Sequence, residues 1–336
     1  MTSMKQLYVG IDVGATYVRA GLFDEEAKIL KKIKRPFPTE DFEGFLKKLV
    51  TDLCGDMIKY VTRVGIGSIG PLDIAKGIVP RAPNAPIKSF NLVSPIRELG
   101  LEVVVANDAS AAAWGEYILG LGKGRENLLY VTISTGIGGG VVVDGELLIG
   151  KDGNAHEIGH IVVDYTSNLR CGCGGYGHWE ALASGANMPK SFISYVKSLG
   201  ICKDIDDNNI KSPICEDIKK GRYISSEEIF SRYRSGDLVV IKYIEEYLMP
   251  INAAGLASAI NVYDPEVLVI GGGVALNNKE VFIKGIERNI DRYLTVRKPE
   301  IMFTNFGDDV GIYGAVSLAM RIPRSLKKYV DMWNSV

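Results

Sequence analysis

No apolar run of this 336-residue chain reaches the length of a membrane-spanning helix, because Gly, Thr or a charge interrupts each one first. An excess of either charge is also missing: 39 Lys and Arg face 40 Asp and Glu, for a formal net charge of -1. That balance gives no electrostatic reason to expect a nucleic acid or a membrane as partner, and a small polar ligand is the more natural one. The opening Met1-Thr2-Ser3-Met4-Lys5-Gln6 passes straight into a strand-like run, with no room for the charged, apolar and cleavable parts of a targeting signal. A cytoplasmic protein is expected. Cysteine is sparse and odd in number at five, which argues against a disulfide framework. Cys54, Cys202 and Cys215 stand isolated and read as incidental thiols. Histidine is scarcer still at three, yet all three share one short stretch with the two remaining cysteines.

What is present points to an α/β protein of two lobes, since the length exceeds what one small core usually contains. Leu7 to Val13 is a strand-length β-rich run, Gly14-Ala15-Thr16 a tight turn, and Tyr17 to Phe23 a second run, which together read as a hairpin. The pattern returns with Leu128 to Ile133, the turn Ser134 to Gly140 and the strand resuming at Val141; Asp144-Gly145 then gives a type I′ turn signal. A third glycine turn, Gly271-Gly272-Gly273, separates the strand Val267 to Ile270 from a helix expected to run towards Leu294. Ala109 to Leu119 is an Ala-rich helix suited to linking the lobes, and Ser225 to Glu228 has capping-box spacing. The polar stretch from Lys203 to Arg222 reads as a loop or insertion. The expected division is 1–118 for a small lobe, 119–312 for a large lobe, and 313–336 for a C-terminal helix returning to the small lobe.

Phosphate oxygens must come within reach of backbone N–H groups, so a phosphate-cradling turn needs residues without bulky side chains. Gly14 and Gly136 supply that approach, with Gly138 in the second turn and Gly272 in the third, while Thr16 and Thr135 offer hydroxyl donors. Asp12, ending the first strand, can hold a hydrated Mg²⁺, though a strand-end carboxylate can equally cap its own turn. Gly65-Ile66-Gly67-Ser68-Ile69-Gly70 has dinucleotide-binding glycine spacing, but Pro71 follows where a helix N-terminus should receive the pyrophosphate. No stretch fits a P-loop. Asp108 stands at a strand-to-helix junction, where local sequence alone suits a helix cap. Phosphoryl transfer to an alcohol instead needs a carboxylate that accepts the hydroxyl proton, and Asp108 is the best candidate, with Asn107 beside it able to orient a sugar. His160, Cys171, Cys173 and His178 offer two imidazoles and two thiolates, a tetrahedral Zn²⁺ set with no position left for water. Glu157 and Glu180 flank that loop and could accept bonds from vicinal hydroxyls.

These blocks resemble the ROK family of sugar kinases and sugar-responsive repressors along nearly the whole chain. Gly10 to Thr16 looks like the family's first phosphate motif and Ser134 to Gly140 like its second. Asn107-Asp108-Ala109 looks like its catalytic block, while His156 to His160 with Cys171 to Glu180 is similar to its sugar and zinc signature. The resemblance implies an actin-like (ribonuclease H-like) ATPase fold with a central cleft, and ATP, Mg²⁺ and structural Zn²⁺ as cofactors. It implies Asp108 as general base and Asn107, Glu157, His160 and Glu180 as sugar ligands, with Gly70 and Asn84 lining the same site. The expected activity is ATP-dependent phosphorylation of glucose, or of a broad hexose range, at the C6 hydroxyl. The alternatives are an N-acetylmannosamine or N-acetylglucosamine kinase, then a fructokinase or a sugar-responsive regulator. The regulator would need a DNA-binding module ahead of Gly10, for which there is no room. A homo-oligomer, dimer or tetramer, is expected. Three departures from the family pattern stand out: Ala15 for a glycine, His178 for a third zinc cysteine, and His156 for a glycine beside Glu157.

Overall fold

The protein was analysed as a computed structural model that describes residues 6–82, 85–200, 202 and 212–335. Strand Leu7–Val13 places Val9, Ile11 and Val13 out of water on one face, and Gly10 is buried on the other. A strand covered on both sides belongs in the middle of a sheet. It pairs antiparallel with Tyr17–Phe23 and parallel with Val61–Ser68. The completed sheet runs Ile29–Pro36, Tyr17–Phe23, Leu7–Val13, Val61–Ser68, Glu102–Asn107. The second sheet runs Glu146–Leu147, Ile137–Val143, Leu128–Ile133, Val267–Gly271, Glu300–Phe303. Strand order and strand sense are the same in both: a meander of three antiparallel strands followed by two parallel ones. Two such sheets in one chain make the two-lobed actin-like ATPase fold.

Helices Asp108–Ile118 and Val310–Met320 fill the space where the halves meet. Both are rich in Ala and Gly, and that smallness is what lets them approach so closely. A Cβ on Gly115 would lie 2.8 Å from Gly314 of the facing helix, and one on Gly65 would lie 1.8 Å from the Ala315 carbonyl oxygen. The first core accordingly continues from Val9, Val64 and Val104 through Ala112 and Trp114 to Leu128, Tyr130 and Val269 of the second sheet. Burial on this scale, at roughly 25 cal/mol per Å² of apolar surface, is the main force holding the halves together. The second core gathers Leu129, Ile133, Trp179, Leu256 and Ile270 beneath the other face of the second sheet. Trp179 is fully buried there and donates its indole N–H to Asn252 Oδ1 at 3.0 Å. No helix among the described residues is long and apolar enough to cross a membrane.

Four expectations change. The helix after Gly272 is not continuous: Gly273–Leu276 ends at Asn277, whereas Lys279–Asn289 starts afresh. Two helices, Val310–Met320 and Arg324–Asn334, occupy the C-terminal region in place of one; the second buries Leu326, Tyr329, Val330 and Trp333. Within the polar stretch, helix Pro213–Lys219 buries Ile214 and Cys215, and residues 203–211 lie outside the described residues. Cys202 and Cys215 are bonded as a disulfide, because Ile214 and Cys215 turn inward and bring the two Cα atoms to 5.2 Å. Ser225 caps helix Ser226–Arg234 as its spacing predicts, accepting from the Glu228 N–H.

Candidate active site

The first turn is closed by the Gly14 N–H donating to the Tyr17 carbonyl at 3.0 Å, and the Thr16 side chain stays exposed at its tip. Asp12 sits one strand residue before it, with its carboxylate 3.2 Å from Arg19 Nη1. Burial pushes the Asp12 carboxyl upward, and the Arg19 guanidinium only partly offsets this. A Cβ on Gly311 would lie 2.5 Å from that carboxylate, so the first turn of helix Val310–Met320 also presses on it. A half-buried carboxylate with one cation beside it and a second carboxylate in range suits a bound divalent cation.

That second carboxylate is Asp108. The cap of helix Asp108–Ile118 is Asn107, whose Oδ1 accepts from the N–H groups of Ala109 at 3.0 Å and Ser110 at 3.4 Å. Asp108 Oδ1 shares the Ala109 N–H at 2.8 Å. Burial, then the charge of Asp12 and that of Glu157, raise the Asp108 carboxyl to about 7. A carboxyl that ionises near neutral pH matches what proton acceptance from an alcohol requires. With Asn107 Oδ1 committed to the cap, its amide nitrogen remains to donate; a Cβ on Gly70 would lie 3.5 Å from it. Asn154, which the sequence did not single out, clamps this loop by accepting from the Leu72 N–H and donating to the Leu72 carbonyl, both at 2.8 Å. Asn84 lies outside the described residues.

The second turn is strapped from outside. The Gly185 N–H donates to the Ser134 carbonyl at 2.8 Å, and the Ala186 N–H to the Thr135 carbonyl at 3.1 Å. Glu180 Oε2 accepts from the Ile137 N–H at 3.0 Å, and a Cβ on Gly136 would meet that oxygen at 2.6 Å. Gly138 lines the same hairpin, opposite Thr132. Gly272 takes φ +88° and passes so close to Ile133 that a Cβ would meet its backbone at 2.4 Å. The third glycine turn therefore lies directly beside the second.

Glu180 leads on to the His/Cys cluster, because the Cys171 thiol donates to its Oε1 at 3.5 Å. His160 Nδ1 stands 3.7 Å from Cys171 Sγ, and His178 Nδ1 stands 3.3 Å from Cys173 Sγ. One ligand atom from each of the four residues lies within 4.8 Å of every other. A nitrogen and a sulfur on one tetrahedral Zn²⁺ would be about 3.6 Å apart, so the donor set fits that ion in chemistry and in spacing. A Cβ on Gly175 would strike the His178 ring at 2.4 Å, so the tight wrap needs glycine there. His160 Nε2 faces away from the cluster, 3.8 Å from Glu157 Oε2. Burial and the Glu180 charge raise the Glu157 carboxyl, against the pull of His160. His156 does not project towards this group: its ring is buried against Ser110.

Comparison with known proteins bears on the whole chain. A family model described as "ROK family" matches residues 8–322. A glucokinase of Pyrobaculum calidifontis is 41% identical over 96% of this chain and 98% of its own length. The crystal structure of a ROK hexokinase from Thermus thermophilus superposes with a TM-score of 0.77 at 31% identity, covering 93% of this chain and 97% of that one. A ROK family glucokinase from Streptomyces griseus, solved in complex with glucose and AMPPNP, gives a TM-score of 0.72 at 30% identity, covering 93% of this chain and 98% of that one.

Proposed function

This chain belongs to the ROK family, and on that basis we propose that it is an ATP-dependent sugar kinase that phosphorylates glucose, or a broad range of hexoses, at the C6 hydroxyl. The observation that supports this reading is that the charges of Asp12 and Glu157 both act on the buried Asp108 carboxyl, as they would with nucleotide on one side of it and sugar on the other. Asp12 would hold Mg²⁺, which screens phosphate charge when bound. Gly14, Thr16, Thr135, Gly136, Gly138 and Gly272 would line the nucleotide, and Gly70, Asn84, Asn107, Glu157, His160 and Glu180 the sugar. Asp108 accepts the C6 hydroxyl proton while the oxygen attacks the γ-phosphorus, and ADP leaves with the bridging oxygen. His160, Cys171, Cys173 and His178 would hold one Zn²⁺ with a structural role, turning the second ring nitrogen of His160 towards the sugar.

The working division is a first lobe of residues 1–118, a second of 119–312, and a returning segment of 313–336. The protein would act in the cytoplasm as a homo-oligomer. A coupled ADP-release assay across glucose, mannose, fructose, N-acetylmannosamine and N-acetylglucosamine tests the reading. Turnover should be fastest with glucose. ADP release with no sugar on that panel would overturn the proposal, and a preference for an N-acetylhexosamine would move the substrate to the alternative class.

A further inference from the structure

The loop bearing Glu157 reaches the helix bearing Asp108 through one buried side chain. His156 Nε2 and Ser110 Oγ are 2.8 Å apart, with His156 6% exposed and Ser110 fully buried. Ser110 lies two residues beyond Asp108, on the turn capped by Asn107. His156 immediately precedes Glu157 and holds φ +60°, a backbone region uncommon for any residue with a Cβ, though histidine enters it more readily than most. Strain of that kind persists only where surrounding contacts over-determine it, and it gathers at functional sites. The contacts are visible here. The ring is packed out of water with its Nε2 on Ser110 Oγ, and burial lowers the imidazole to about 4, so it stays neutral at ordinary pH. Gly139 and Gly140 have no Cβ to obstruct Ile158 or Ala109, so both the loop and the helix can settle onto strand Ile137–Val143.

We propose that His156 is a positioning residue for phosphoryl transfer, fastening the first turn of the Asp108 helix, through Ser110, to the loop that presents Glu157, so that base and sugar ligand are placed as one body. The proposal rests on the kinase reading above. It gives the imidazole at this position a task directed inward, towards the helix and away from the substrate.

The test compares Ser110→Ala, His156→Leu and His156→Gln with the wild type in steady-state assays varying sugar and ATP separately. A misplacement near 1 Å can cost up to about 10²-fold, so Ser110→Ala and His156→Leu should each lower kcat about tenfold and raise the sugar KM several-fold, with the ATP KM unchanged. The double variant should be no worse than His156→Leu, because both remove one interaction. His156→Gln, whose amide can reach the same hydroxyl, should recover most of the loss. Ser110→Ala keeps the test open if His156→Leu fails to fold. Wild-type turnover matched by Ser110→Ala would overturn the coupling alone. A parallel rise in both KM values, or losses tracking the fall in Tm without recovery in His156→Gln, would also overturn it, reducing His156 to a core residue. Absence of wild-type turnover would sink the kinase reading and this proposal with it.

Discussion

The two hairpin turns stand on sheets of the same strand order, yet their surroundings differ. The first is closed by its own Gly14 to Tyr17 bond and tied from outside by the Phe37 N–H on the Thr16 carbonyl and the Ile69 N–H on the Val13 carbonyl; its chemistry is one of charge, with Asp12 paired to Arg19 and acting on Asp108. The second is likewise closed by its own bond, from the Ser134 N–H to the Gly136 carbonyl, and strapped by the Gly185 and Ala186 N–H groups; what it adds is Glu180, the carboxylate that also meets Cys171. One topological unit, used twice, carries a paired carboxylate beside one turn and a side-chain link from the other turn to the His/Cys loop. Because Glu180 joins only the second turn to that loop in the contacts above, perturbing the first turn should disturb the nucleotide alone, whereas perturbing the second should disturb both substrates.

Asp108 stands where the two halves meet, and its loss should have the largest effect. Asp108→Asn keeps the shape and the bond to the Ala109 N–H but cannot accept a proton. Its kcat should fall by about 10²- to 10⁴-fold, with glucose binding retained by calorimetry. Turnover within a few-fold of wild type would remove Asp108 from the role of base.

Asp12→Asn comes next and probes the charge side. Losing the carboxylate that would hold Mg²⁺ should lower kcat by about 10²-fold or more. It should also change how Asp108 titrates. In the ligand-free protein the Asp108 carboxyl ionises at about 7, with burial the first cause and the Asp12 charge the second. Base catalysis needs the ionised form, so a rate governed by this group rises with pH up to about 7 and is lost below it. Removing the Asp12 charge takes away an upward push, so the midpoint should move to lower pH without reaching that of a solvated aspartate. Carboxyl-selective NMR on ligand-free wild type and variant checks this; an unmoved midpoint would mean that the two groups do not interact.

The His/Cys cluster tests how far the loop bearing Glu157 and His160 depends on the proposed zinc. His178→Ala leaves three of the four ligands. Elemental analysis should find about one zinc per chain in the wild type and far less in the variant. The sugar KM should rise by about tenfold as His160 and Glu180 lose their fixed positions, while the ATP KM stays within about twofold. A metal-free wild type would dismiss the zinc assignment.

Much of this site was legible in the sequence, for a physical reason. Asp12 to Thr16, Asn107-Asp108, Ser134 to Gly140 and Cys171 to Glu180 are each local: the candidate residues sit within a short stretch of chain, so spacing exposes them. The alternating strand patterns likewise revealed the paired hairpins. What stayed hidden depends on packing between distant segments. Arg19 meets Asp12 only through strand register, and Gly311 meets it only because a helix from the far end of the chain lies across the first sheet. Asn154 clamps Leu72 from 82 positions away, and the bond between Cys202 and Cys215 needed an inward-facing helix that a polar stretch did not suggest. His156 could be marked as unusual from its place beside Glu157, but not the direction in which it points.

The smallest effect is also the sharpest test of the contrast between the turns. Gly14→Ala and Gly136→Ala add the same methyl group, one at the first residue of its turn and the other at the last. At Gly14 the new Cβ would sit 3.1 Å from the Tyr17 carbonyl oxygen, within the turn itself. At Gly136 it would sit 2.6 Å from Glu180 Oε2 and push that carboxylate off the Ile137 N–H. Gly14→Ala should therefore raise the ATP KM by about threefold and leave the sugar KM alone, whereas Gly136→Ala should raise both by about threefold to tenfold. Adding Glu180→Ala, which removes the obstructed oxygen, should make Gly136→Ala nearly silent in that background while leaving Gly14→Ala at full effect. Equal behaviour of the two glycine variants in both backgrounds would mean that Glu180 does not join the second turn to the sugar loop.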